Sequence, residues 1–381
     1  MRAAALKSRS GRVISQVPRT GVLDSAATST AAVVGDMEAF WKSCARNWSA
    51  QLSSSGAKAT VANTFWGENG ALTLLVRILA ANFPGYSTFI DAGAGEYSFY
   101  NDAGAVVFEG SNAMQFYRLW SKPQHSVTVL AFEPNADNPV YNKARRTMGQ
   151  VLALPLVLTN HTGHVTLRGT GNIGTINERL LVHPHFKNRK TRLLNASTAD
   201  AMARAHLPGR LDVLKTDTEG ADWEVILGAT QLLSDSGRRP HVLIIAYEDK
   251  WSVSTYFAAY PLRRRSRSRL YEARRPRDMV PPTLRSVSAH LFALQYSSYL
   301  IGSAKTHWQR QRQGCDAAMQ FVPVSPPYWD DSFELAFRPL KLGLKFSWFD
   351  VIAVVTGSNE ERLLQRLAAC GGGAPVCGGA V

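Results

Sequence analysis

The sequence predicts an α/β protein built on a mostly parallel sheet with helices over both faces. Three observations predict it. Short apolar runs at 87–91, 126–132, 211–216 and 241–247 read as strands buried on both sides. Segments of helical spacing separate these runs, as crossover connections between parallel strands require. Finally, the runs end alike, on acids beside small or polar residues: FIDAGAGE, LAFEP and LKTDTEG, with IIAYED close behind. The carboxyl ends of parallel strands share one edge of a sheet, and ligands bind in the crevice outside it.

The elements follow in order. Residues 1–60 are rich in Ser and Ala and weakly patterned, apart from a short helix near DMEAFWKSCARNW. From 68 to 83, Leu72, Leu75, Ile78, Leu79 and Phe83 recur at helical spacing and make one apolar stripe. PGY breaks that helix and STFI begins the first strand. A polar, partly helical stretch leads to SVTVLAFEP, a strand stopped by Glu133 and Pro134. NPVYNKARRTMG reads as a helix, and 151–167 as a strand, a turn at NHTG and a second strand. STADAMARAHL is a short helix. After the strand LDVLKTD, the piece ADWEVILGATQLLSD reads as one helix, with Asp222 and Glu224 in its first turn, where the dipole favours them. HVLIIAYED is the next strand. HLFALQYSSYLIG is amphipathic, and FELAFRP and FDVIAVV read as late strands closing the sheet with an antiparallel edge.

Bulk properties bound the function. A chain of 381 residues, 45% hydrophobic, can bury a sizeable core. The most apolar stretch, ALTLLVRILAANF, is short and interrupted by Arg77, so the expectation is a soluble protein. The formal charge is +14, yet residues 263–285 hold nine arginines against Glu272 and Asp278, half of the excess in one proline-containing stretch. That composition reads as a solvated insertion, and the pattern argues against nucleic acid as a partner because only Tyr271 offers an aromatic platform there. Cys44, Cys315, Cys370 and Cys377 are too few and too scattered for a disulfide framework or a zinc site. The first 23 residues carry five basic residues and no acid before Asp24, which fits an organelle transit segment as well as an ordinary start. The expected location is intracellular, cytoplasmic or organellar. The domain plan is a 1–60 extension, a 61–262 core, the 263–285 insertion, a 286–368 part completing the sheet and a glycine-rich tail at 369–381.

At the shared edge, Gly93 and Gly95 would let the backbone approach a ligand, and Glu133 is placed to accept from a ribose diol. A dinucleotide would want a third glycine in G-x-G-x-x-G register, but Ser98 stands three after Gly95. A sulfonium nucleoside needs no pyrophosphate cradle, and its positive charge suits an acid-lined crevice. The reading is therefore S-adenosylmethionine. Lys215, inside its strand, either pairs with one of the acids or snorkels. His183, His185, His161 and His164 sit in loops with no carboxylate in register, so no metal is expected.

FIDAGAGEYS, VLAFEPN, LPLVLTNHTGHVTL and above all LDVLKTDTEGADWEVILGATQLL resemble the FkbM-type methyltransferases, in order from about residue 86 to 250. The resemblance implies a class I, Rossmann-like methyltransferase that uses S-adenosylmethionine and methylates a hydroxyl of a small molecule or glycan. It implies a cofactor turn at Asp91, Gly93, Ala94 and Gly95, a ribose-binding Glu133, and Asp217, Glu219 and Gly220 beside the transferring methyl. Glu248 falls where the family carries an acid after the fifth strand. Asp217 and Glu219 are the catalytic candidates. Tyr247, Glu248 and Trp251 are candidates for the acceptor side. The turn is two residues shorter than the family's usual one. Two alternatives stay open: an inactive relative with the same fold, and a nucleic-acid-associated methyltransferase using the basic insertion.

Overall fold

A computed structural model describes residues 26–52, 71–95, 97–100, 106–110, 112–135, 150–168, 190–218, 220–248, 283–303, 319–336 and 348–368. The helix expected at 138–149, most of the arginine-rich stretch, the N-terminal basic segment and the glycine-rich tail lie outside the described residues. So do Glu219, Trp251, His183 and His185.

The continuously apolar runs form the middle of one eight-stranded sheet. β1 (Thr88–Ala92), β4 (Thr128–Phe132), β9 (Val213–Thr216) and β10 (Val242–Glu248) have their apolar residues buried, as strands covered on both faces must. The remaining members are β5 (Val151–Leu154), β11 (Tyr296–Ser303), β12 (Met319–Pro323) and β13 (Trp348–Val355). The spatial order is β12-β11-β13-β10-β9-β1-β4-β5. β1 pairs in parallel with β4 and β9, β4 with β5, and β9 with β10. The chain thus starts mid-sheet, runs outward through β4 and β5, and returns to β9 on the other side of β1. The direction of travel reverses between β1 and β9, and it is outside the carboxyl ends of the strands at such a point that open parallel sheets offer a crevice to a ligand. This mostly parallel architecture fits a Rossmann-like fold.

The helices are α1 (Ala26–Leu52), α2 (Ala71–Asn82), α3 (Asn112–Trp120), α4 (Ala199–His206), α5 (Asp222–Leu227), α6 (Thr230–Ser234), α7 (Leu284–Ala293), α8 (Asp331–Ala336) and α9 (Asn359–Leu367). One face of the sheet carries α1, α3 and α9, tied down by Trp41 on Tyr299, Asp91 on α3 and Tyr299 on Glu361. The other carries α5 and α7, which meet through Trp223 and His290. None of the described helices is long and apolar enough to cross a membrane.

Several elements differ from the sequence reading, each for a local reason. The segment after the first turn is a hairpin, β2 (Tyr97–Tyr100) with β3 (Val106–Gly110), before α3 begins. The helix expected at 221–235 is broken into α5 and α6 at Gly228, where a Cβ would lie 2.1 Å from the Thr159 carbonyl oxygen. The backbone that follows β6 (Val157–Leu158) lies directly on it, and the Gly228 carbonyl accepts the Asp200 amide. α6 then restarts because the Asp200 carboxylate accepts the Gln231 and Leu232 amides. β6 and β7 (Gly163–Arg168) do not pair with each other. β8 (Thr191–Ser197) sits between them in a separate three-stranded sheet. FELAFRP begins as helix α8, started by Asp330, whose carboxylate accepts the Ser332 amide. β13 is antiparallel, as expected of a late strand, but it lies inside the sheet between β10 and β11. The antiparallel edge is β12, paired only to β11.

That edge is covered by α1, which runs 27 residues rather than one short helix. Met37, Trp41, Cys44, Ala45, Trp48 and Leu52 make its buried stripe, and the Trp48 indole donates to the Phe321 carbonyl at 2.9 Å. Cys44 is disulfide-bonded; its partner lies outside the described residues, so at least one bridge exists where the spacings suggested no framework.

Candidate active site

The turn after β1 is shaped first by its neighbours in the sheet. The amides of Gly93 and Ala94 both donate to the Phe132 carbonyl, at 2.9 and 3.0 Å, and fasten the turn to the end of β4. Gly93 has φ +78, and a Cβ there would fall 1.9 Å from the Asp217 carbonyl oxygen. Its bareness therefore lets the turn close over the end of β9, while the Asp217 amide donates back to Ala92 at 2.9 Å. Ala94 is fully buried. Gly95 sits closer to the crevice, its missing Cβ 4.0 Å from Oε2 of Glu133.

Beneath the turn lies a buried ion triad. Asp91 and Lys215 are register partners on β1 and β9, with 0% and 2% side-chain exposure. Lys215 Nζ is 3.1 Å from Asp91 Oδ1 and 3.5 Å from Asp217 Oδ2. The other Asp91 oxygen accepts the Ala113 amide at 2.7 Å, at the start of α3. Burial alone would discharge Lys215, but the two carboxylates outweigh it and hold the ammonium above its ordinary value. Burial pushes Asp91 up, against the pull of Lys215 and the Ala113 amide. Asp91 is thus a structural anchor that aims Lys215 at Asp217, with its carboxylate turned inward.

Three acids do face the crevice. Glu133, one residue past β4 and 9% exposed, accepts the Asn135 amide through Oε1 at 2.7 Å. Burial raises its pKa, partly offset by that amide. Asp217, one residue past β9 and on the Lys215 side of the strand, keeps about a fifth of its side chain exposed. The backbone beyond it is held by Asp222, which is fully buried and accepts the Thr218 amide at 2.9 Å, and by Gly220 at φ +100. The third acid, Asp350, went unnoticed in the sequence because a lone carboxylate inside FDVIAVV gives no periodic signal. It is 5% exposed on β13, paired with Ala246 of β10. Burial first, then the charge of Asp217, push it up to about 7 against the pull of Lys215.

Tyr247 points to the opposite face of β10 from Ala246, and its hydroxyl accepts the Leu284 amide at 3.2 Å. Glu248 closes β10 opposite Trp348. Among the described residues no group of three His, Cys, Asp or Glu could hold a metal.

Strands β1, β4 and β9 therefore bring Gly93, Gly95, Glu133 and Asp217 to one crevice, with Asp91 behind them. Residues 94–265 match the model of the methyltransferase FkbM domain. No curated protein matches the chain. That match supports reading the chain as a methyltransferase.

Proposed function

We propose that the protein is an S-adenosylmethionine-dependent methyltransferase acting on a hydroxyl oxygen of a small molecule or glycan. The observation that carries the reading is the meeting of Glu133 and Asp217, from parallel strands on either side of β1, at the crevice beside the Gly93 turn. The residues present fit the cofactor: a bare turn for close approach, a buried carboxylate at the end of β4 of the kind that accepts from a diol, and acid charge where a sulfonium would lie.

When bound, the cofactor supplies an electrophilic methyl on a cationic sulfur. This chain's own residues do the rest. Glu133 accepts from the ribose hydroxyls. Lys215 fixes the carboxylate of Asp217, which faces the methionine end. The Gly93 turn excludes water from the floor of the crevice. In-line displacement needs little else beyond alignment and removal of the acceptor's proton. Glu219 remains the candidate for positioning the acceptor and Glu248 for lining its side, whereas Tyr247 turns to the other face of β10 toward Leu284. The protein would work inside the cell, in the cytoplasm or an organelle.

Incubating a cell extract with the protein and deuteromethyl-labelled S-adenosylmethionine tests this reading by mass spectrometry. A labelled methyl ether on a metabolite or glycan is the expected product. No label, or label on nitrogen or carbon only, contradicts it.

A further inference from the structure

Asp350 lies outside the matched domain segment, on the interior antiparallel strand, yet it faces the same crevice. The register shows how. Lys215 pairs with Ile244, and Ile244 with Ile352, so these side chains share one face. Two residues further toward the carboxyl edge come Asp217, Ala246 and Asp350 on that same face. Two strand spacings put Asp217 and Asp350 roughly 10 Å apart at the backbone. Among the described strand residues, the one in register between them is Ala246 of β10, whose side chain is a single methyl, so the sheet itself leaves a notch with an acid on each wall.

Asp350 has no hydrogen bond or ion pair among the described residues, although it is 95% removed from solvent. Buried polar groups without partners are rare, and a carboxyl left so is costly unless a ligand completes it. The charged groups acting on it are Asp217 and Lys215 of β9. β10 contributes uncharged Ala246. On the β11 side the same face carries Tyr299, whose hydroxyl is already given to Glu361 of α9.

We propose that Asp350 is the catalytic base of the methyl transfer, accepting the proton of a hydroxyl held in the notch between it and Asp217. The inference rests on the cofactor reading above. The acceptor oxygen forms its bond to the methyl carbon as the carbon–sulfur bond breaks. The electron pair returns to sulfur, and the hydroxyl proton passes to the Asp350 carboxylate. One positive and one negative charge vanish together, which a buried site favours. In the free protein, burial and the charge of Asp217 raise the Asp350 pKa, so a sulfonium arriving beside it favours the carboxylate and arms the base.

The test is calorimetric titration of the full chain with S-adenosylmethionine at pH 7, in buffers of different ionisation enthalpy. We expect protons to be released on binding. Asp350→Asn should bind within about tenfold of wild type but release none, and S-adenosylhomocysteine, lacking the sulfonium charge, should release less. In the labelled-methyl assay, Asp350→Asn should lose product by about 100-fold or more. A carbon-13 titration of the aspartate carboxyls guards against misfolding: one carboxyl titrating near 7 should be missing from the variant, with the others unmoved. Equal proton release by wild type and variant, or binding with no release by wild type, overturns the proposal. No binding heat at all refutes the cofactor reading, and the inference falls with it.

Discussion

At the residue scale, the site depends on side chains whose environments are set by one another. Lys215 neutralises two acids at once, so removing it leaves the Asp91 carboxyl in the interior without its counter-charge. Lys215→Met should cost about 3–5 kcal/mol in urea unfolding. Adding Asp91→Asn, which keeps an acceptor for the Ala113 amide, should recover at least about 1 kcal/mol. Additive losses would show that the pair is not coupled. Gly93→Ala should cost at least about 2 kcal/mol, because φ is +78 and the Asp217 carbonyl occupies the place of a Cβ; unchanged stability would mean that the turn can open. Asp350 sets a pH dependence. Its folded pKa of about 7 stands above the ordinary 3.8, so the stability it contributes is complete below about pH 4 and is lost as pH rises through 7. The melting temperature of Asp350→Asn should therefore gain on wild type between pH 4 and 8. A gap that stays constant across that range would place Asp350 in contact with solvent or a cation.

At the element scale, the parallel core was legible because its signal is local. Strands β1, β4 and β10 are each a single apolar run ended by an acid or glycine, β9 is the same apart from Lys215 and Thr216, and the helices between them repeat their own period. Elements whose form is decided by distant partners were not. FELAFRP alternates like a strand, but Asp330 caps it into a helix whose Phe333 is buried. The break at Gly228 depends on the Thr159 carbonyl, 69 residues earlier in the chain. α6 depends on a carboxylate from α4. Asp200→Ala should accordingly cost about 1–2 kcal/mol, and amides 231 and 232 should lose their hydrogen-exchange protection before the rest of the sheet does. Full protection in that variant would show that α6 is held by packing alone. The same logic separates the site residues. Glu133 and Asp217 end strands and could be read from the sequence. Asp350 sits inside one, and only the pairing of β13 with β10 carries it to the crevice.

At the scale of the whole molecule, the C-terminal part completes both the sheet and the candidate site. β13 enters between β10 and β11, α1 closes the exposed edge through Trp48 and Phe321, and α9 holds Tyr299 through Glu361. At the amino-terminal end of the sheet, Tyr86 and His241 both bond Glu360. Burial would raise that carboxyl, but the two hydrogen bonds outweigh it and hold it at about 2. The two ends of the strands thus differ in kind: the acid there is held down by hydrogen bonds, whereas burial raises Glu133 and Asp350 at the carboxyl edge. The central claim is that this edge holds S-adenosylmethionine through Glu133 and Asp217. Titration calorimetry of wild type and Glu133→Ala tests it most directly. Wild type should give saturable heat with one cofactor per chain, and the variant should bind tenfold or more weakly, as loss of charged hydrogen bonds to a diol requires. No heat from wild type, or equal affinity in the variant, would contradict the account.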